Sequence, residues 1–236
     1  MSRTYSTRSL HGHVVHELGL RIVRGDYPSG SLPNEEELAS HLEVSRTALR
    51  EAVKVLTAKG LIESRPKVGT RVRPRLQWNM LDPDVLAWRC STMKSDAFAQ
   101  DLMEMREIVE PSAAALAARH RDTEQLSRIE MAYQEMADAS DMEHWVTGDL
   151  HFHQAILMAT GNELLTPLSS LIETALEALF VMSARNANDF KYSLPQHGEV
   201  LDAIRQQDEN AARAAMQHLL GDSRANLTRR SIKTSE

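Results

Sequence analysis

Residues 32–73 place three signals in an order that few folds share: a capped short helix, a tight turn into a second capped helix, and a basic hairpin. Asn34 precedes Glu35, Glu36 and Glu37, so its side chain can cap a helix whose electropositive first turn holds three acids. Leu38, Ala39 and Leu42 give that helix a buried face. A turn at Glu43-Val44 leads to Ser45, a second cap, and to a helix that ends near Lys59-Gly60. Two short helices this close together make a helix-turn-helix. Leu61 to Ser64 and Thr70 to Arg73 then read as two strands around Pro66-Lys67-Val68-Gly69, a β-hairpin wing. An earlier helix is marked by the stripe Val14, Val15, Leu18, Ile22 and Val23, and is broken by Gly25, Asp26, Pro28 and Gly30.

The second helix of the motif buries Leu49, Ala52, Val53 and Leu56 and turns Ser45, Arg46, Thr47 and Arg50 outward at its N-terminal end. A recognition helix presents its readers there, because its first turns enter the major groove. Arginine can donate two hydrogen bonds to guanine O6 and N7, while serine and threonine reach phosphates or base edges. The wing offers Arg65, Lys67, Gly69, Thr70, Arg71 and Arg73 to the backbone or minor groove. Any one of these basic residues alone reads equally as a solvated surface charge. Residues 1–75 hold 13 Lys+Arg against 8 Asp+Glu, a net of +5; the rest of the chain holds 14 against 25, a net of −11. A basic end on an acidic body points the first part alone at a polyanion.

Leu32-Pro33-Asn34-Glu35-Glu36-Glu37-Leu38-Ala39, then Val44 to Ala52, Leu61-Ile62 and the Gly69 wing resemble the GntR family of bacterial regulators over residues 10–75. The resemblance implies operator contacts by Arg46, Thr47 and Arg50. Three departures stand out: Glu36 where many relatives carry arginine, Ala48 where many carry proline, and Lys67-Val68-Gly69 in place of a Gly-Arg/Lys-Gly wing. Glu36 cannot pair with phosphate; it can accept from cytosine N4 or complement the helix dipole.

Past a linker at about 74–82, helices are expected near 83–90, 96–119, 123–138, 141–160, 162–185, 195–207 and 208–229. The expected fold class is mainly α: a winged helix-turn-helix domain over 1–75 and an antiparallel all-α bundle over 76–236. Among ten histidines, His153 shares a face with Leu150, Ile156 and Leu157, and His197 with Val200, Leu201 and Ile204. His218 is read on a stripe with Ala211, Ala214, Ala215 and Leu219. Asp149 lies four residues before His153, on the same face. A buried carboxylate needs a compensating partner. Asp149, His153, His197 and His218 suit a divalent transition metal, zinc foremost, with nickel, manganese or iron as alternatives; a structural polar network is the competing reading. His151 faces elsewhere, and His120, His144, His11, His13, His16 and His41 are not expected to be ligands.

Leu102 to Ala118, with Arg106, Glu107 and Glu110, resembles the first long helix of the FCD effector domain in the FadR branch of the same family. Asp149 to His153, Gly161-Asn162, His197 and His218 match that domain's metal pattern. The resemblance implies open coordination positions for a carboxylate effector and makes Arg106 its bidentate partner; the alternative for Arg106 is a structural ion pair with Asp149 or Glu110. The stretch Arg75 to Asp82 resembles the linker of galactonate-operon repressors, which implies a sugar acid, although Trp78 within it can equally be a packing residue. The expectation is a homodimeric repressor of a catabolic operon on a pseudo-palindromic operator. With a single cysteine, Cys90, and neither a signal peptide nor a membrane-length apolar run, the expected compartment is the cytoplasm. A metal-dependent enzyme acting on a small organic acid is the competing class, since an open metal position can activate water, but no separate base or nucleophile stands out.

Overall fold

The computed structural model describes residues 10–27, 30, 32–65, 69–92, 96–183 and 190–233. The chain forms two compact units, Met1–Lys94 and Ser95–Glu236.

The first unit runs α1 (Leu10–Arg24), α2 (Glu35–His41), α3 (Arg46–Ala58), β1 (Ile62–Arg65), β2 (Gly69–Val72), a 3-10 turn (Arg75–Gln77) and α4 (Pro83–Ser91). Both expected caps form. The Asn34 carboxamide oxygen accepts from the backbone of Glu36 and Glu37, and Glu37 reaches back to the Asn34 N–H, completing a capping box. Ser45 Oγ accepts from Ala48 N at 3.1 Å. Each cap is worth about 1 kcal/mol. Glu43, at φ 53°, makes the left-handed turn between α2 and α3. The α1 stripe from Val14 to Val23 is buried with Leu38, Leu49, Ala52 and Leu56 in one core.

The strands pair antiparallel in the register Ile62↔Val72 to Arg65↔Gly69, one residue further toward the tip than the sequence expectation. Leu61 and Arg73 still meet by a backbone hydrogen bond, Arg73 N to Leu61 O at 2.9 Å. Gly69 has φ +89° and open space around it, so the backbone angle rather than crowding requires glycine there.

The first unit continues beyond the boundary expected at 75/76. Trp78 joins its core and donates from Nε1 to Arg73 O at 2.8 Å. In α4, Trp88 lies so close over Gly19 of α1 that a Cβ at that glycine would stand 2.5 Å from the indole, and its Nε1 donates to His16 Nδ1 at 3.0 Å. Lys59 at the end of α3 ties to Asp82 at 2.9 Å and to Asp84 at 2.7 Å.

The second unit contains α5 (Asp96–His120), α6 (Thr123–Asp138), α7 (Met142–Met158), α8 (Ser169–Ser183), α9 (Leu194–Arg205) and α10 (Glu209–Lys233). Helix α5 packs along α10, α6 along α7, and α9 against α10. Phe152, Ile156, Ile129, Met136, Ile204 and Met216 are among the residues that fill the core between them. The helix expected from residue 162 begins only at Ser169. Asn162 Oδ1 accepts from Leu164 N, and a 3-10 turn over Thr166–Leu168, carrying Pro167, precedes α8. Among the described residues no helix is long and apolar enough to cross a membrane.

Two measurements check this packing. Gly19→Ala forces the indole off its seat, and overpacking of this kind costs about 1–3 kcal/mol; the first unit of the intact protein is expected to melt correspondingly earlier. Burial disfavours the Lys59 charge, but hydrogen bonds and attraction from Asp84 and Asp82 outweigh it and raise the ammonium above its ordinary 10.5. A raised lysine stabilises the fold fully below its unfolded value and ceases to do so as pH climbs through the folded value. The wild-type protein is therefore expected to lose stability above about pH 10.5, with Lys59→Met lacking that alkaline component in melts run across the range.

Candidate DNA-reading face and metal centre

Ser45, Arg46, Thr47 and Arg50 all lie exposed at the start of α3. The Ser45 oxygen is committed to its cap, which leaves the hydroxyl hydrogen to donate outward. That cap uses the Ala48 N–H, a donor that proline would lack. Arg46 Nη2 lies 2.8 Å from Glu36 Oε1, and Arg50 Nε 2.8 Å from Glu35 Oε2. On the wing, Gly69 is exposed and Thr70 half-buried, its hydroxyl 3.4 Å from that of Ser64 on the facing strand. The backbone of Arg65 closes β1; its side chain and the whole of Lys67 lie outside the described residues.

In the second unit, α7 carries Asp149 and His153 one turn apart, α9 carries His197, and α5 carries Arg106 and Glu110 one turn apart. All five are buried. His197 Nδ1 is 2.8 Å from the Ser193 carbonyl oxygen, which can only accept, so this nitrogen holds the ring proton. When the ring is neutral, as a metal ligand must be, the opposite nitrogen, Nε2, carries a lone pair. It faces Asp149 Oδ1 at 2.8 Å without hydrogen-bond geometry, and has no hydrogen-bond partner among the described residues. His153 Nε2 lies 3.7 Å from the same oxygen, and its Nδ1 lies 2.6 Å from Glu110 Oε2. Arg106 meets Glu110 through Nε at 2.5 Å and Nη2 at 3.2 Å, and its Nη2 is 3.4 Å from His153 Nε2.

Burial opposes ionisation of Asp149, yet its neighbours His197, His153 and Arg106 outweigh it and hold the carboxyl at about 2. Glu110 is likewise held at about 2: burial pushes it up, while Arg106 and His153 pull it down more strongly. Burial also works against the Arg106 charge, and the neighbouring Glu110 outweighs that and raises it. With the imidazoles neutral, as ligation requires, the cluster holds two carboxylates against one guanidinium. A buried surplus anion and lone pairs aimed at one another call for a cation. One ligand atom each from Asp149, His153 and His197 falls within 4.8 Å of the others. Ligands held about 2 Å from one zinc ion stand roughly 3–4 Å apart, so the donor set fits a divalent transition metal. The Ser193 carbonyl takes the outer position that would orient His197 as a ligand, and Glu110 lies beside the outward nitrogen of His153 without hydrogen-bond geometry.

The expectation for His218 fails. Its side chain is 57% exposed, with Nδ1 3.5 Å from Glu199 and Nε2 3.7 Å from Asp222. The inward stripe of α10 is Ala212, Met216, Leu219 and Leu220, which turns residue 218 outward. Both stripes of this alanine-rich helix are apolar enough to be taken for the buried one. Arg106 sits beside the cluster as expected, and the structural ion pair with Glu110 is formed. Glu110 as partner of His153 was not foreseen; its spacing from Arg106 was the available signal. The Ser193 carbonyl, a backbone group, leaves no trace in side-chain pattern. His151 points outward to Glu135 at 2.7 Å, as its spacing from Asp149 requires.

Incubation with zinc followed by desalting is expected to leave about one ion per chain. Binding at a hundredfold excess over the dissociation constant raises stability by about 2.7 kcal/mol. His197→Ala is expected to lose both the retained ion and the increment, while His218→Ala keeps them.

The family models that match this chain are "Bacterial regulatory proteins, gntR family" over residues 10–72 and "FCD domain" over residues 101–222. The Galactonate operon transcriptional repressor of Escherichia coli K12 is 36% identical over 213 residues, covering 89% of this chain and 93% of that protein. The HTH-type transcriptional regulator YieP of the same organism is 36% identical over 211 residues, with 88% and 90% covered. The solved structure of Streptococcus agalactiae GntR aligns with a TM-score of 0.52 at 31% identity, covering 92% of this chain and all of that one. These are regulators rather than enzymes, and the metalloenzyme reading falls with them. A winged helix-turn-helix with its capped α3, joined in one chain to a helical unit that matches the FCD domain, makes this protein a member of the GntR family of bacterial transcriptional regulators.

Proposed function

We propose that the protein is a cytoplasmic, homodimeric repressor of a catabolic operon, released or retained on its operator by a small carboxylate of the sugar-acid class bound in the second unit. The reading extends that of the galactonate operon repressor, a relative by sequence over nearly the whole length. The observation that carries it is the charge of the buried cluster. Buried together, ionised Arg106, Glu110 and Asp149 sum to −1 when the imidazoles are neutral, as ligation requires. Asp149, His153 and His197 would hold a divalent cation, zinc by donor type, which supplies a net +1 and open coordination positions to an anionic ligand. Glu110 takes one N–H from each of two Arg106 nitrogens, out of five N–H groups on the guanidinium. Those left over can orient a carboxylate.

On the DNA side, Arg46, Thr47 and Arg50 read the major groove, Ser45 reaches phosphate, and Arg65, Lys67, Gly69 and Thr70 engage the backbone at the wing. A two-fold dimer places recognition helices about one turn of duplex apart, hence a pseudo-palindromic site. The effector would act by favouring a packing of the helical unit that disfavours this spacing. Coupling of about 1–3 kcal/mol, roughly 5- to 150-fold in operator affinity, is the usual range.

Mobility shifts with the promoter region of the neighbouring genes, at stated salt, test the reading against a panel of sugar acids. One acid is expected to change operator affinity within that range. Arg50→Ala should abolish operator binding while the acid still binds, and Arg106→Ala should bind operator but ignore the acid. A protein that binds every duplex equally, or responds to no carboxylate with metal present, overturns it.

A further inference from the structure

Arg46 and Arg50 stand one turn apart on α3, on the exposed face that the proposed function directs at DNA. Each is met by an acid from the first turn of α2: Glu36 for Arg46 and Glu35 for Arg50, both at 2.8 Å. In the first pair the arginine side chain is 62% and the glutamate 77% exposed. Ion pairs this open add little to stability. Both acids sit where the N-terminal end of α2 favours negative charge, on a turn that the capping box holds in shape. The face thus presents two cations and two anions. Its pull on phosphate largely cancels, and what remains is a pattern of donors and acceptors.

We propose that Glu36 is a specificity-determining residue, which together with Arg46 reads a guanine and, beside it, a base carrying an exocyclic amino group. The proposal rests on the operator-binding reading. Guanine offers O6 and N7 to the arginine, whose pairing with Glu36 restrains it while leaving N–H groups for a base edge. A carboxylate has acceptors only. It gains from cytosine N4 or adenine N6 in the major groove, and is opposed by guanine O6 or thymine O4 in the same place. Inverting that base pair carries the amino group to the other strand, so the carboxylate distinguishes the two orientations.

Selection of sites from a randomised duplex pool by the full-length protein, compared with Glu36→Gln and Glu36→Arg, tests this. The wild type is expected to enrich, once per half-site, a guanine beside an amino-bearing base. Inverting that neighbouring pair should weaken wild-type binding by about 5- to 150-fold and weaken Glu36→Gln by much less, while Glu36→Arg should favour guanine or thymine there. Glu36→Gln is nearly isosteric, and unchanged melting together with retained binding to random duplex at low salt shows that it is folded. Enrichment of the same sites by wild type and both variants, with the same penalty for inversion, overturns the proposal. Failure of the wild type to enrich any sequence is a different result: it removes the operator reading, and this proposal with it.

Discussion

The face-off between the Asp149 carboxylate and His197 Nε2 lies at the centre of the second unit's buried polar cluster. With the ring neutral neither group satisfies the other, because both offer electrons. The arrangement persists because three helices supply its parts from rigid positions: α7 by a four-residue spacing, α9 through a ring pinned to the Ser193 carbonyl, and α5 through the Arg106–Glu110 pair. Aromatic rings complete the setting. Phe152 packs edge-on to both His153 and His197, and Trp145 edge-on to His197. Low local polarisability strengthens every charge interaction inside and makes an unmatched one expensive.

The proposed regulation would rest on separating two demands. The proposed DNA-reading residues of α3 are exposed, and Arg46 and Arg50 pair there with exposed acids, so little must be broken for a duplex to engage them. The cluster proposed to sense the effector is buried, and its groups are locked by one another. An anion entering it would alter the electrostatic balance among groups on three helices at once. Such a change spreads through packed helices because they settle into discrete arrangements rather than deform smoothly.

Much of this was legible in the residues. Asn34 and Ser45 mark helix starts through side chains whose only efficient use there is capping, and both do so. The α1 and α3 stripes are amphipathic, so their buried faces are unambiguous. Asp149 and His153 announce their shared face by spacing alone. What stayed hidden had physical causes. Helix α10 is apolar on two sides, and nothing in its pattern says which is inward, so spacing alone does not reveal that His218 faces outward. The start of α8 was displaced by an Asn162 turn and by Pro167, whose local hydrogen bonding outweighs a continuous apolar pattern. The Glu36–Arg46 and Glu35–Arg50 pairs join residues ten and fifteen apart, and become neighbours only once the α2–α3 turn is made.

The seating of Trp88 on Gly19 bears on where the DNA-binding module ends. Val85 and Trp88 belong to the same core as the α1 stripe, so a fragment severed after Arg75 would bare an oily flank and forfeit the lysine-aspartate tether at Asp82 and Asp84. A fragment meant to keep that core intact is therefore expected to reach about Thr92, and the stretch that sequence alone would label a tether is structural ballast for the wing it follows.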